Sequence, residues 1–170
     1  MKKTAIFVIA VILSAGCVTG SGNSASNPSP VNVIARDSRF VAYSNGTVMD
    51  TDTGLMWAAQ DNGGSITWEE AKRYCRDYRG GGYTDWRMPT LNELTALYNP
   101  KITNTTPPTA GCKGGCHLMN FIHLTCCPVW YWNGIDEVEG FFHFELGPKD
   151  WRDQSLAANH PRALPVRNAR

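Results

Sequence analysis

Four cysteines crowded between Cys112 and Cys127 limit the folds open to this chain more than any other feature. Whether those sulfurs end as disulfides or as metal thiolates depends on the compartment, and the N-terminus addresses that. Lys2 and Lys3 precede an apolar run from Ala5 to Leu13 that closes on Ser14-Ala15-Gly16. Such a run is too short to cross roughly 30 Å of hydrocarbon as a helix, which takes about 20 residues, and it reads as an export signal over residues 1–16. Beyond the inner membrane disulfides persist, so the cluster is expected to be bridged.

Cys17 directly after three small residues resembles the bacterial lipobox, with Ser14 where the usual leucine stands. The resemblance implies lipidation of Cys17 and a protein tethered to the membrane rather than spanning it. Val18 in place of aspartate directs it to the outer membrane if the cell is Gram-negative. Several tens of buried acyl methylenes at about 0.8 kcal/mol each make a tri-acylated cysteine a firm anchor. The stretch that follows is Gly, Ser, Asn and Pro with almost nothing apolar, so residues 17–35 read as lipidated cysteine plus flexible tether and residues 36–170 as one domain.

With Cys17 consumed by the anchor, Cys75, Cys112, Cys116, Cys126 and Cys127 remain of the six cysteines. Five is odd, so the expectation is two bridges and one leftover thiol, or a bridge to another molecule. A bond between the neighbours Cys126 and Cys127 forces awkward geometry, which sends each to a different partner, with Cys112 and Cys116 the candidates for one or both. His117 and His123 within the same segment raise a zinc alternative. The spacing fits no common zinc-ribbon pattern and oxidising conditions oppose free thiolates, so disulfides are favoured and neither metal nor cofactor is assigned.

Loss of Lys2 and Lys3 takes the formal net charge from +1 to −1. No basic field is available for a phosphate backbone, and nucleic acid is not expected as a partner. Six Trp, six Tyr and six Phe are many for 170 residues, enough for some rings to meet a ligand while most serve the core.

Phe40–Tyr43, then Asn45-Gly46, then Thr47-Val48-Met49 predicts a hairpin with a type I′ turn. Asp50-Thr51-Asp52-Thr53-Gly54 is a second turn, better explained by aspartate-to-backbone bonding than by calcium, and Leu55–Ala58 a further strand. Thr67 with Glu70 and Thr90 with Glu93 are two capping boxes. The first opens a helix whose buried stripe is Trp68, Ala71, Cys75 and Tyr78, with Ile66 stapled to Ala71; the second carries Leu91, Leu94, Leu97 and Tyr98 and stops by Pro100. Val129–Trp132, Gly140–Leu146 and Ala163–Arg167 read as strands.

Asn45-Gly46-Thr47-Val48, Asp52-Thr53-Gly54-Leu55-Met56-Trp57, Thr67-Trp68-Glu69-Glu70-Ala71 and Gly82-Tyr83-Thr84-Asp85-Trp86-Arg87-Met88-Pro89-Thr90 together carry a family resemblance. They resemble the bacterial domain family found at the C-terminus of the Legionella collagen-like (Lcl) adhesin, closely from Arg39 to Leu97. The match is looser through Val129-Trp130-Tyr131-Trp132, Gly140-Phe141 and Leu164-Pro165-Val166-Arg167. The resemblance implies an α+β, C-type lectin-like fold: two short helices flanking a twisted antiparallel sheet, with a long cysteine-rich loop. Such folds often bridge a helix cysteine to one in the last strand, but Pro165-Val166-Arg167-Asn168 offers none to Cys75. Glu-Pro-Asn and Gln-Pro-Asp loops are absent and Trp132-Asn133-Gly134 has glycine where a calcium-ligating aspartate would stand, so no calcium site is carried over; Asp136, Glu137 and Glu139 read as a solvated turn.

The expected function is a non-catalytic module, displayed from a lipid anchor in the cell envelope, for a glycan or an envelope protein. Trp130, Tyr131, Trp132 and Asn133, with the loop from Pro107 to Pro128, are the ligand-binding candidates. The alternatives are an enzyme or a metal or redox site in the Cys112–Cys127 segment, or a structural envelope protein. No catalytic residue is assigned: the histidines make no triad spacing, and Trp86 and Arg87 read as packing residues of the junction before the second helix.

Overall fold

The computed structural model describes residues 31–112, 114–134, 140–148 and 160–169. The signal, Cys17, the tether up to residue 30 and the acidic turn at Asp136, Glu137 and Glu139 lie outside the described residues. No helix among the described residues is long and apolar enough to cross a membrane.

The hairpin forms from β2 (Phe40–Tyr43) and β3 (Thr47–Asp50), but its turn differs from the expected one. The Gly46 N–H donates to the Tyr43 carbonyl at 3.1 Å, and Gly46 sits at φ +77° while Asn45 stays at negative φ. A type I′ turn needs positive φ at both central residues, so the connection is the longer three-residue loop closed by a left-handed glycine. At the next turn the Asp50 carboxylate accepts the Asp52 N–H at 3.1 Å and pairs with the Arg39 guanidinium at 3.2 Å. That leads into β4 (Leu55–Ala58). Strand β1 (Val33–Asp37) pairs antiparallel with β2, extending the sheet into residues whose composition read as the end of the tether.

Both capping boxes close as expected. Thr67 accepts from Glu70 N–H to start α1 (Trp68–Asp77), and Thr90 accepts from Glu93 N–H to start α2 (Leu91–Leu97). Helix α1 buries Trp68, Ala71 and Cys75 against Met88, Trp130, Phe141 and Ala163, with Ile66 packed on the same cluster. Helix α2 buries Leu94 and Leu97 in the larger core around Trp57, Phe142 and Phe144.

Strands β5 (Pro128–Tyr131) and β6 (Gly140–His143) form a separate antiparallel ladder. β6 ends earlier than its apolar run because the Leu146 and Gly147 N–H groups both turn back to the His143 carbonyl. The predicted strand at Ala163–Arg167 divides its pairing between two places. Arg162 exchanges backbone hydrogen bonds with β5 at Pro128 and Trp130, and only β7 (Val166–Asn168) joins β4. Pro165, which has no N–H to donate, lies between them. The main sheet therefore runs β1-β2-β3-β4-β7, antiparallel throughout.

The Tyr83–Thr90 block is a clamp around β7. Arg87 exchanges two backbone hydrogen bonds with Val166, at 2.9 and 3.0 Å, while its guanidinium grips Glu93 at 2.8 and 2.6 Å. Arg167 binds Asp85 through two nitrogens, at 2.6 and 3.1 Å, and lies 4.0 Å from the centre of the Tyr83 ring. Trp86 is buried and donates its indole N–H to the Gly80 carbonyl at 3.1 Å. Trp86 and Arg87 thus hold the junction before α2.

Glu93 serves the capping box and the Arg87 pair at once. Burial works to raise its carboxyl, but the hydrogen bonds from Arg87 and Thr90 outweigh that and hold it below its ordinary value. A carboxylate depressed in the folded state stabilises the protein above its unfolded value of 4.5 and loses that contribution as pH falls through the folded value. Glu93→Gln is therefore expected to cost about 1–2 kcal/mol at pH 7, on the scale of a partly exposed charged hydrogen bond. Urea midpoints should show the gap to wild type closing once pH drops below 4.5.

Candidate functional site

The described residues from Asn99 to Cys127 contain no helix or strand and are organised by sulfur and by side-chain bonds to the backbone. Cys112 bridges Cys126 and Cys116 bridges Cys127, so the neighbouring sulfurs go to different partners and the two bridges cross in sequence. Cys75, a disulfide candidate by composition, has no bridge: it is fully buried in α1, and burial pushes its thiol well above the ordinary range. A thiol so held is neither a nucleophile nor a ready ligand. With the other four sulfurs in disulfides, the zinc alternative has no thiolates to use, and among the described residues no group of three or more His, Cys, Asp or Glu converges as a metal site.

The four ligand-binding candidates separate into two pairs. Trp130 and Tyr131 are 4% and 5% exposed, which corrects the expectation that they face a ligand. Trp130 donates its indole N–H to the Ile66 carbonyl at 2.7 Å and meets Phe141 edge to face, while Tyr131 belongs to the large core. Strand β5 is covered on both faces, so alternate residues point into different clusters and neither reaches solvent. Trp132 and Asn133, just past the strand, do reach the surface. They and Gly134 form one wall of an open cleft of about 300 Å³ whose other wall is Thr90, Leu91 and Asn92. The Trp132 N–H donates to the Pro89 carbonyl at 2.8 Å, which fixes the two walls together.

A second open cleft, of about 390 Å³, lies beside the stapled loop and is lined by Gln60, Asp61, Gly63, Thr106, His123 and Thr125. Asn104 organises it. Its amide nitrogen donates to the Met119 and Ile122 carbonyls at 3.0 and 2.7 Å, so its oxygen is the acceptor for the Thr106 N–H and hydroxyl at 2.8 and 2.6 Å. The Thr106 proton is thereby spent, and its oxygen, 2.9 Å from His123 Nδ1, accepts from that nitrogen. The neutral His123 ring then carries its proton on Nδ1 and leaves the Nε2 lone pair to accept a hydrogen bond. Nothing in local spacing signals this, because Asn104, Thr106 and His123 meet only through the loop.

Asp61 forms the floor, with the buried Arg162 behind it. The Asp61 carboxylate accepts from Gly63 N–H at 2.7 Å, from Thr125 N–H at 2.6 Å and from the Thr125 hydroxyl at 3.0 Å, with Arg162 Nε 3.9 Å away. Arg162 donates to Thr125 Oγ1, the His160 carbonyl and Thr109 Oγ1 at 2.8, 2.7 and 2.6 Å. Burial pushes the Asp61 carboxyl up and the Arg162 guanidinium down, against the opposing pull of their hydrogen bonds and mutual attraction. Each polar atom that faces the cleft from this pair is already used, so the floor is a support rather than a reactive group.

Thr106→Val removes the acceptor that holds the Nδ1 proton. Ring ¹⁵N shifts should show the Nδ1–H tautomer for neutral His123 in the wild type and a redistribution toward Nε2–H in the variant; an Nε2–H ring in the wild type would contradict the hydrogen-bond chain.

Residues 46–134 match the family model of the Lcl C-terminal domain. No curated protein and no solved structure matches the chain.

Proposed function

The chain belongs to the Lcl C-terminal domain family, and we propose that it is a lipid-anchored envelope protein whose domain binds a glycan, without catalysis, in the cleft of Trp132 and Asn133. The two disulfides point to an extracytoplasmic, oxidising compartment. The signal ending at Cys17 supplies the anchor of this reading, and its tether holds the domain off the outer membrane.

A C-type lectin-like organisation is supported by two helices beside an antiparallel sheet, a last strand that returns to close that sheet, and a long disulfide-stapled loop. The observation that carries the binding reading is the Trp132 cleft itself. It is shallow and open, with a half-buried indole beside the carboxamide-bearing residues Asn92 and Asn133. A sugar offers an apolar ring face and a fringe of hydroxyls, and an aromatic ring flanked by amides complements both. The cysteines among the described residues argue the same way: one is sealed in the core and four are oxidised, so none of these five is an activated nucleophile.

A glycan array probed with the mature protein tests this. Binding to a defined glycan class is expected, weakened at least tenfold by Trp132→Ala and less by Asn133→Ala, while Gln60→Ala, in the other cleft, leaves it unchanged. Glycan binding that survives Trp132→Ala would move the site elsewhere, and an array without any hit would leave protein ligands as the class to pursue.

A further inference from the structure

The two disulfides are not equivalent. Cys116 and Cys127 are 4% and 1% exposed, and Cys126 is 5% exposed, whereas Cys112 is only half-buried. Against the Cys112 sulfur lie two donors: Arg162 Nη2 and the Thr109 hydroxyl, each at 3.5 Å. Arg162 is itself 2% exposed, so its charge acts across protein rather than water. Thr109 holds one hydroxyl proton within reach of both the Thr125 carbonyl, at 3.3 Å, and Cys112 Sγ, while its oxygen accepts from Arg162. A neutral disulfide sulfur draws little from such neighbours; a thiolate in the same place draws a great deal.

We propose that Cys112–Cys126 is a thiol–disulfide exchange site, open to dithiol reductants, whose reduced form is stabilised by Arg162 and Thr109. This goes beyond glycan binding and does not depend on it. One thiolate of the dithiol attacks the accessible Cys112 sulfur, forming a mixed disulfide, and the electron pair of the broken bond passes to Cys126, which takes up a proton. The second thiolate of the reductant then attacks its own sulfur in that mixed disulfide. The reductant leaves as its cyclic disulfide and Cys112 leaves as a thiolate paired with Arg162. Two electrons move from the dithiol to the bridge; of the dithiol's two protons, Cys126 keeps one and solvent receives the other. Cys116–Cys127, with both residues sealed in the large core, stays closed.

The consequence reaches the polar cleft. Arg162 also binds Thr125 and faces Asp61, which line it. Opening the bridge frees Cys112 from Cys126 while leaving Cys116–Cys127 to hold the segment, so the loop loosens at one end only.

The experiment is a titration of the mature protein with dithiothreitol at defined reduced-to-oxidised ratios, followed by alkylation and mass mapping of each cysteine. Cys112 and Cys126 should be labelled together at ratios that leave Cys116 and Cys127 unlabelled. Arg162→Gln should move the Cys112–Cys126 midpoint at least roughly tenfold toward the disulfide, and Arg162→Lys less, as expected for loss of a charged partner at a thiolate. The second bridge is the internal control, since a misfolded variant would open both together. In that event Thr109→Val decides, with a smaller shift of the same sign expected. Joint opening of both bridges in the wild type, an unmoved midpoint in a folded Arg162→Gln variant, or an unmoved midpoint in Thr109→Val would each overturn the proposal.

Discussion

Arg162 and Asp61 tie three loops together at one buried point. The two disulfides are both internal to the Cys112–Cys127 segment, so they staple that loop to itself and not to the sheet. The buried ion pair joins the backbone bonds of His123 to Ala59 and Asp61 and of His117 to Phe144 in attaching it. Asp61 follows β4, Thr125 and Thr109 belong to the loop, and Arg162 belongs to the stretch leading into β7. Through its backbone Arg162 also pairs with β5, so one residue touches both sheets' surroundings and the loop. Burying two charges is repaid only when their remaining donors and acceptors are satisfied, and removing one partner of such a pair costs about 3–5 kcal/mol. Here Thr125 bonds to both partners, which fits the arrangement to a fold whose loops outnumber its regular elements.

The same division of labour explains the aromatic residues. Trp68 donates its indole N–H to the Tyr131 carbonyl at 3.2 Å, and Trp130 donates to the Ile66 carbonyl at 2.7 Å. The start of α1 and the end of β5 are thus cross-tied by two indoles, each also packed in an apolar cluster. A buried Trp needs a partner for its N–H, and a loop carbonyl just before a helix is a natural one. Rings that composition alone offers to a ligand are used to dock a helix on a strand.

Elements written in neighbouring residues were legible in the sequence; those made by distant residues were not. Both capping boxes depend on a threonine and a glutamate three positions apart, and both are present with their reciprocal hydrogen bonds. The β2–β3 hairpin was readable for the same reason, although the turn type was not, because register and not the Asn-Gly pair decides how many residues the loop holds. Strand β1 lacks alternation that separates it from a tether, and it exists because β2 offers an edge. The terminal segment reads as one strand, yet Arg162 serves β5 and Val166–Asn168 serve β4. Disulfide candidates were visible as a set, but which sulfur meets which depends on the path of a loop with no periodicity. Of the four aromatic and amide candidates, Trp132 and Asn133 line a surface cleft and Trp130 and Tyr131 are buried, a difference made by the cover on both faces of β5 and not by local sequence.

The residues from Tyr83 to Thr90, inside the span that matches the family, place the Trp132 cleft. Thr90 opens α2 and lines the cleft; Pro89 receives the Trp132 N–H; Arg87 locks Glu93, which completes the cap on Thr90. Asp85 and Tyr83 hold Arg167, and Arg87 and Val166 exchange backbone bonds, so β7 fixes the block from the other side. The run Gly-Tyr-Thr-Asp-Trp-Arg-Met-Pro-Thr therefore sets the position of the cleft while only its last residue, Thr90, lines it. The rest of the cleft is made by Leu91, Asn92, Trp132, Asn133 and Gly134, which lie outside that run. The block and the rim are thus separate parts of one surface, joined where the Trp132 backbone N–H meets the Pro89 carbonyl.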